Sequence, residues 1–92
     1  MNIVITNVAR LPYAADEEPG MPSYEVDGTL DGTKFKVVTS LEIDGRDGEH
    51  EIKVGPQSLV DDPDVNEAYF EALCENDEFN RLSEAAAAEY YA

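Results

Sequence analysis

The sequence predicts an α+β fold, in which a small antiparallel sheet of three or four strands in a meander packs against one or two C-terminal α-helices. Three observations predict this fold. Apolar and polar residues alternate through much of residues 1–55, the apolar spacing becomes helical after residue 61, and no helical segment separates the strand-like segments. Because the chain has 92 residues, we expect a single domain over 1–92, with the sheet in 1–55 and the helices in 61–91.

The chain begins with one strand and a long loop. Residues 2–9 form a short β-branched segment, which predicts a strand. Residues 10–22 contain three prolines, a glycine and consecutive acidic residues, which together predict a loop. A loop of this length in so small a domain is often functional.

Three further segments, at 23–30, 33–43 and 49–54, alternate apolar and polar residues and predict a meander with one apolar face. Asp31-Gly32 joins the first two, and this pair favours a type I′ hairpin turn, which needs positive φ at both central residues. Residues 44–48 predict a second turn. The residues expected on the apolar face are Tyr24, Val26, Leu30, Phe35, Val37, Thr39, Leu41, Ile43, His50, Ile52 and Val54.

The first helix has two candidate start signals. Either Asp62 caps a helix that has Pro63 in its first turn, or Asp64 caps it and Glu67 completes a capping box three residues later. Its predicted apolar stripe consists of Val65, Ala68, Tyr69, Ala72 and Leu73. Asn76-Asp77 predicts a break, after which a second helix is expected to run to about Tyr90.

The sequence contains no pattern of catalytic or metal-binding residues. His50 and Cys74 are the single histidine and the single cysteine, so a disulfide within the chain and a zinc site built on Cys and His are excluded. We expect Cys74 to be a small buried residue in the helix. A calcium-binding EF-hand loop starting at Asp62 would have Glu67 in place of its glycine and Leu73 in place of its last glutamate. We therefore expect no enzymatic activity, no cofactor and no specific metal.

The charge balance restricts the partners of this protein. The chain has 21 Asp and Glu against six Lys and Arg, for a formal net charge of −15. Direct binding to nucleic acid or to an anionic membrane needs a basic surface, which the sequence lacks. We therefore expect a basic protein surface as the partner. With neither a signal-peptide pattern nor a membrane span, we expect the protein to be cytoplasmic, in the host cytoplasm if a phage encodes it.

The acidic residues of the first helix are the candidate partner-binding residues. They recur every three or four residues, which places them opposite the apolar stripe, and each like-charge pair at this spacing costs roughly 0.2–0.5 kcal/mol. Phe70 falls outside both stripes and is the candidate aromatic anchor, while Tyr69 and Tyr90 are further candidates if they are exposed. Tyr13, Met21 and Tyr24 form a second possible contact region around the long loop. The acidic candidates are Asp64, Glu67, Glu71, Glu75 and Glu78.

Three interpretations of this charge remain open. The acidic side chains form an unspecialised solvated face, or they adapt the protein to high salt, where like charges are screened over about 3 Å at 1 M. In the third interpretation they form a row of carboxylates about 6 Å apart that imitates a phosphate backbone and competes for a nucleic-acid-binding surface.

In length, charge, lack of catalytic groups and the acidic helix face at 64–78, the chain resembles the small acidic inhibitor proteins of phages and mobile elements. These are the anti-CRISPR and anti-restriction proteins, several of which are DNA mimics. The resemblance implies a cytoplasmic protein that binds a nuclease or surveillance complex through the Lys and Arg residues of that complex.

Overall fold

The computed structural model describes residues 1–12, 20–43 and 48–92. Most of the predicted loop at 10–22 and of the predicted turn at 44–48, with Tyr13, therefore lies outside the described residues. The elements, in chain order, are β1 (Ile3–Arg10), β2 (Ser23–Leu30), β3 (Thr33–Leu41), β4 (Gly48–Val54), α1 (Ser58–Asp61), α2 (Pro63–Cys74) and α3 (Asp77–Tyr90). Strands precede helices, which confirms the predicted α+β fold.

The four strands form one antiparallel sheet in the order β1-β2-β3-β4, so each strand pairs with its neighbour in sequence. Asp31 and Gly32 both have positive φ, at 49° and 86°, which confirms the predicted turn between β2 and β3. β1 and β4 are the two edge strands.

The apolar face of the sheet carries most of the core. The predicted inward residues Tyr24, Val26, Leu30, Phe35, Val37 and Thr39 are all buried. Gly28 lies on the same face of β2 as Val26 and Leu30, and the Phe35 ring packs directly over its Cα atom. A Cβ atom at Gly28 would come within 2.7 Å of that ring and 2.2 Å of the Val4 carbonyl oxygen. A glycine is therefore required at this position of β2.

Val54 does not lie on the apolar face, so its prediction is wrong. Val37 pairs with Ile52 but Lys36 pairs with Val54, which leaves Lys53 as an extra residue in β4. Such a bulge reverses the alternation of side chains beyond it. Val54 therefore points to the outer face of the sheet and is 57% exposed.

The helices cover the apolar face. Tyr69 and Leu73 of α2, and Phe79 and Ala86 of α3, are buried. The Phe79 ring meets the Tyr24 ring edge-on, with 5.1 Å between centroids, which fixes α3 against β2. The short helix α1 was not predicted. Among the described residues, no helix is long and apolar enough to cross a membrane.

Candidate functional site

The start of α2 is set by Asp62. One of its carboxylate oxygens accepts hydrogen bonds from the backbone N–H groups of Asp64, at 3.0 Å, and Val65, at 3.4 Å. Pro63 occupies the first turn, where its missing N–H costs nothing. Of the two predicted start signals, the structure therefore shows the Asp62 cap.

The end of α2 is closed by a direct connection to α3. The helix ends at Cys74, and the Asn80 side-chain amide donates to the Cys74 carbonyl oxygen at 2.9 Å. Asn76 then caps α3 by accepting from the Phe79 N–H at 2.9 Å. The predicted break at Asn76-Asp77 is confirmed, and two separate helices, α2 and α3, replace one continuous helix.

The rotation of α2 about its axis is fixed by a buried hydrogen-bonded chain. The Tyr69 hydroxyl lies 2.8 Å from the Thr39 hydroxyl, which lies 3.0 Å from Nδ1 of His50. Tyr69 and Thr39 are both buried, and burial raises the pKa of Tyr69 to about 12 although the hydrogen bond to Thr39 opposes this. The Tyr69 ring also packs edge-on against the rings of Phe35 and His50. The opposite face of α2 therefore points to solvent.

Four carboxylates occupy that solvent face, and we call them the acidic stripe: Asp64, Glu67, Glu71 and Glu75. At 3.6 residues per turn they fall within an arc of about 80°. All four are exposed, and none forms an ion pair with any residue in the described ranges. The last turn of α2 has no basic residue. Glu71 and Glu75 therefore lie near the negative end of the helix dipole, where acidic groups are unfavourable.

Glu78 does not continue the acidic stripe, which corrects the predicted face over 64–78. It lies in the first turn of α3, beyond the break. Both of its carboxylate oxygens accept from the Arg81 guanidinium, at 3.0 Å and 2.5 Å. This hydrogen bonding lowers the pKa of Glu78, and it leaves Glu78 the one member of the predicted set with a cation beside it.

Three of the four acids on the outer face of β2 and β4 have cations beside them, and Glu49 is the exception among the described residues. Lys36 lies 3.5 Å from a carboxylate oxygen of Glu25 and 3.8 Å from one of Asp27, and Lys53 lies 3.0 Å from one of Glu51. Each of these exposed pairs contributes little to stability. They do reduce the negative potential of the sheet, so α2 presents its acids with less compensation than the sheet does.

The aromatic candidates separate into buried and accessible residues. Tyr69 and Tyr24 are each 1% exposed, so both are core residues and unavailable to a partner. Phe70 is half-buried beside the acidic stripe and meets the His50 ring edge-on at 6.4 Å. Tyr90 is exposed at the end of α3, and Met21 is half-buried. Phe70 is therefore the aromatic side chain best placed to act together with the acidic stripe.

The single cysteine, Cys74, and the single histidine, His50, differ in their exposure to solvent. Cys74 is exposed at the end of α2, so the expectation of a buried cysteine is wrong. Burial of part of its surface still raises the pKa of the thiol, which lowers the thiolate fraction. Burial lowers the pKa of His50, and its Nδ1 is occupied by Thr39. Within residues 1–12, 20–43 and 48–92, no cluster of His, Cys, Asp and Glu could hold a metal ion.

A shallow apolar cleft of about 300 Å³ lies between the ends of β2 and β3 and one side of α3. Tyr24, Leu41 and Phe79 form part of its wall, and Glu42 and Glu84 contribute carboxylates. It contains no histidine, cysteine or basic side chain among its described lining residues.

The chain matches no known protein family, no curated protein and no solved structure.

Proposed function

We propose that this protein is a non-enzymatic interaction protein that binds a basic, nucleic-acid-binding surface of a partner protein and blocks it. In this proposal it acts as a nucleic-acid mimic, in the manner of an anti-CRISPR inhibitor. The observation that carries the proposal is the acidic stripe, whose four exposed carboxylates have no cation partner among the described residues, whereas the sheet places lysines beside Glu25, Asp27 and Glu51.

The spacing of the acidic stripe supports recognition of a surface that binds phosphates. Carboxylates three or four residues apart on a helix lie about 6 Å from each other, on a rigid rod. Lysines and arginines that bind successive phosphates would meet a comparable row of negative charge. Complementary charges of this kind increase the association rate and favour one alignment of the two proteins.

The polarity of α2 indicates which end of the acidic stripe binds a cation most strongly. Asp64 lies at the N-terminus of the helix, where the positive end of the dipole already stabilises it. Glu71 and Glu75 lie near the C-terminus, where the dipole adds negative potential instead. A partner arginine placed there interacts with both the carboxylates and the helix end. We therefore expect the Glu71–Glu75 end to contribute more than Asp64.

Phe70 adds an apolar contact beside this row of charge. Its ring is half-buried against His50, so it is held in place before binding and loses little conformational freedom. Aromatic residues with such preorganisation are common among the residues that dominate interface energies.

The test compares two triple variants that change the charge by the same amount. In the first, Glu67→Gln, Glu71→Gln and Glu75→Gln neutralise the acidic stripe. In the second, Glu25→Gln, Asp27→Asn and Glu51→Gln neutralise acids on the sheet. Proteins captured from host lysate at low salt are identified, and the purified partner is bound to a fluorescent DNA duplex. Displacement of that duplex is then measured for each protein across a salt series.

We expect the wild-type protein and the sheet variant to displace the duplex, with an affinity that falls as salt rises. The acidic-stripe variant should bind at least tenfold more weakly. Equal binding by all three proteins, or greater loss in the sheet variant, would show that the acidic stripe is not the binding surface. Binding without displacement would show that the protein is not a mimic.

Salt adaptation is the alternative function, and acids on other elements favour it. Glu49 of β4 and Glu84 and Glu89 of α3 are also exposed, so negative charge is not confined to α2. A salt-adapted domain should gain stability steeply between low salt and about 2 M KCl, because screening removes repulsion over the whole surface. Urea denaturation across that range distinguishes the two functions, since a mimic needs no such gain.

A further inference from the structure

The outer edge of β1 has unpaired backbone groups. The Asp31 N–H donates to the Asn2 carbonyl oxygen at 2.8 Å, so the backbone groups of Asn2 point towards β2. Successive residues of a strand direct these groups to opposite sides. The N–H and C=O groups of Ile3 and Ile5 therefore point away from the sheet, and no described residue hydrogen-bonds to them there.

The side chains of this edge are uncharged up to Arg10, the last residue of β1. In a chain with 21 acidic residues, positions 1–9 contain no acidic or basic side chain. Met1 is 67% exposed, and Val4 is 44% exposed on the outer face of the sheet. The opposite edge is different, because β4 carries Glu49, Glu51 and Lys53. Charged residues protect an edge strand from pairing with another chain, and the part of β1 before Arg10 lacks this protection.

We propose that β1 pairs antiparallel with β1 of a second copy of this chain, which joins two four-stranded sheets into one of eight strands. The outward N–H and C=O groups of Ile3 hydrogen-bond to the C=O and N–H groups of Ile5 in the second copy. By symmetry, Ile5 of the first copy forms the same bonds with Ile3 of the second. Val4 then lies directly opposite Val4 of the second copy, across a pair with no hydrogen bond, where side chains approach closely. The bulge at Thr6 confines this pairing to the N-terminal half of β1.

The charge distribution makes β1 the edge that a second copy can approach, and symmetry matches the two strands. Two copies that each carry a charge of −15 repel each other wherever acidic surfaces meet. The uncharged edge of β1 is where two copies can approach with least repulsion, and a two-fold axis there matches one β-branched strand to an identical one. A basic partner, by contrast, gains no charge interaction at β1.

Salt separates this inference from the proposed function. Residual repulsion between two acidic copies is screened at about 1 M KCl, so the dimer should become stronger as salt rises. Binding of the acidic stripe to a basic surface should become weaker over the same range. The two interactions therefore have opposite salt dependences, and either can fail without the other.

The experiment measures monomer–dimer equilibria by sedimentation equilibrium in low salt and in about 1 M KCl. Loading concentrations from about 10 μM to about 1 mM cover the affinities of small interfaces. Val4→Lys places two like charges opposite each other and should weaken the dimer roughly tenfold. Val54→Lys makes the same change at an exposed position of the other edge and should leave the dimer intact. Mixing the Val4→Lys and Val4→Glu variants should restore association.

A wild-type protein that stays monomeric throughout this range would overturn the inference. So would a dimer that Val4→Lys leaves intact, or one that Val54→Lys disrupts instead. A measurement on the wild-type protein avoids dependence on the folding of a variant: in 1 M KCl, the amide protons of Ile3 and Ile5 should exchange more slowly as protein concentration rises. Exchange that does not change with concentration would also contradict the pairing.

Discussion

Replacing Tyr69 with phenylalanine tests the hydrogen-bonded chain that orients the acidic face of α2. The substitution removes one hydroxyl and keeps the ring, so the contacts with Phe35 and His50 remain. The hydroxyl of Thr39 can still hydrogen-bond to His50, which leaves no buried donor without a partner. Loss of one buried hydrogen bond should lower the free energy of unfolding at pH 7 by about 1 kcal/mol.

The same substitution should have the opposite effect in alkali. The pKa of Tyr69 is about 12 in the folded protein, against 10 for an unperturbed tyrosine, so the folded state holds this proton more tightly. This tighter proton binding contributes to the free energy of unfolding of the wild-type protein. The contribution is present in full below pH 10 and is lost as the pH rises through 12. Two pKa units correspond to about 2.7 kcal/mol, since each unit is 1.36 kcal/mol. Near pH 11, the stability that the wild-type protein has lost through ionisation of Tyr69 exceeds the roughly 1 kcal/mol that the hydrogen bond contributes at pH 7.

Urea denaturation followed by far-UV circular dichroism checks this reversal at several pH values between 7 and 12. Below about pH 11 the wild-type protein should be more stable than Tyr69→Phe, and above it less stable. Every other ionisable group is the same in both proteins, so the difference between the two isolates Tyr69. A difference that stays constant from pH 7 to pH 12 would refute the reasoning, because it would mean that Tyr69 ionises as easily when folded as when unfolded.

Three further substitutions, one of them a control, test the start of α2 and the role of His50. Asp62→Ala should lower the free energy of unfolding by about 1 kcal/mol because it removes the cap, while Glu67→Ala should change it little; chemical denaturation at pH 7 measures both. Burial lowers the pKa of His50, so the folded protein should lose stability as the pH falls below 6.5. His50→Asn keeps an acceptor for Thr39 but cannot titrate, and urea denaturation between pH 7 and pH 5 should show a smaller loss for it; an equal loss would contradict this assignment.

The fold was largely predictable because its signals are local. The alternation in 23–30 and 33–43 identified the buried face of β2 and β3, and Asp31-Gly32 identified the turn between them. The break at Asn76-Asp77 followed from residue types that favour a cap. Such features depend on a few neighbouring residues, so they can be inferred without knowledge of the remaining chain.

The candidate site was predictable only in part. The acidic stripe follows from helical spacing, and the structure places Asp64, Glu67, Glu71 and Glu75 together as that spacing requires. Glu78 was misplaced because α2 ends at Cys74 and Glu78 belongs to a separate helix, α3. Helical spacing predicts which residues share a face only within one continuous helix. It therefore cannot place Glu78, which follows the break, on the same face as the acidic residues of α2.

By itself, the sequence determined the α+β class, the meander of the later strands, the turn at Asp31-Gly32, the break at Asn76-Asp77 and the excess of negative charge. Only the tertiary structure decided which acids have a cation beside them and which side chains reach solvent. Lys36 meets Glu25 through the pairing of β2 with β3, and Val54 turns outward because β4 has an extra residue opposite β3. Both outcomes depend on the register between strands, and a single-residue shift reverses them, because side chains alternate with a period of two.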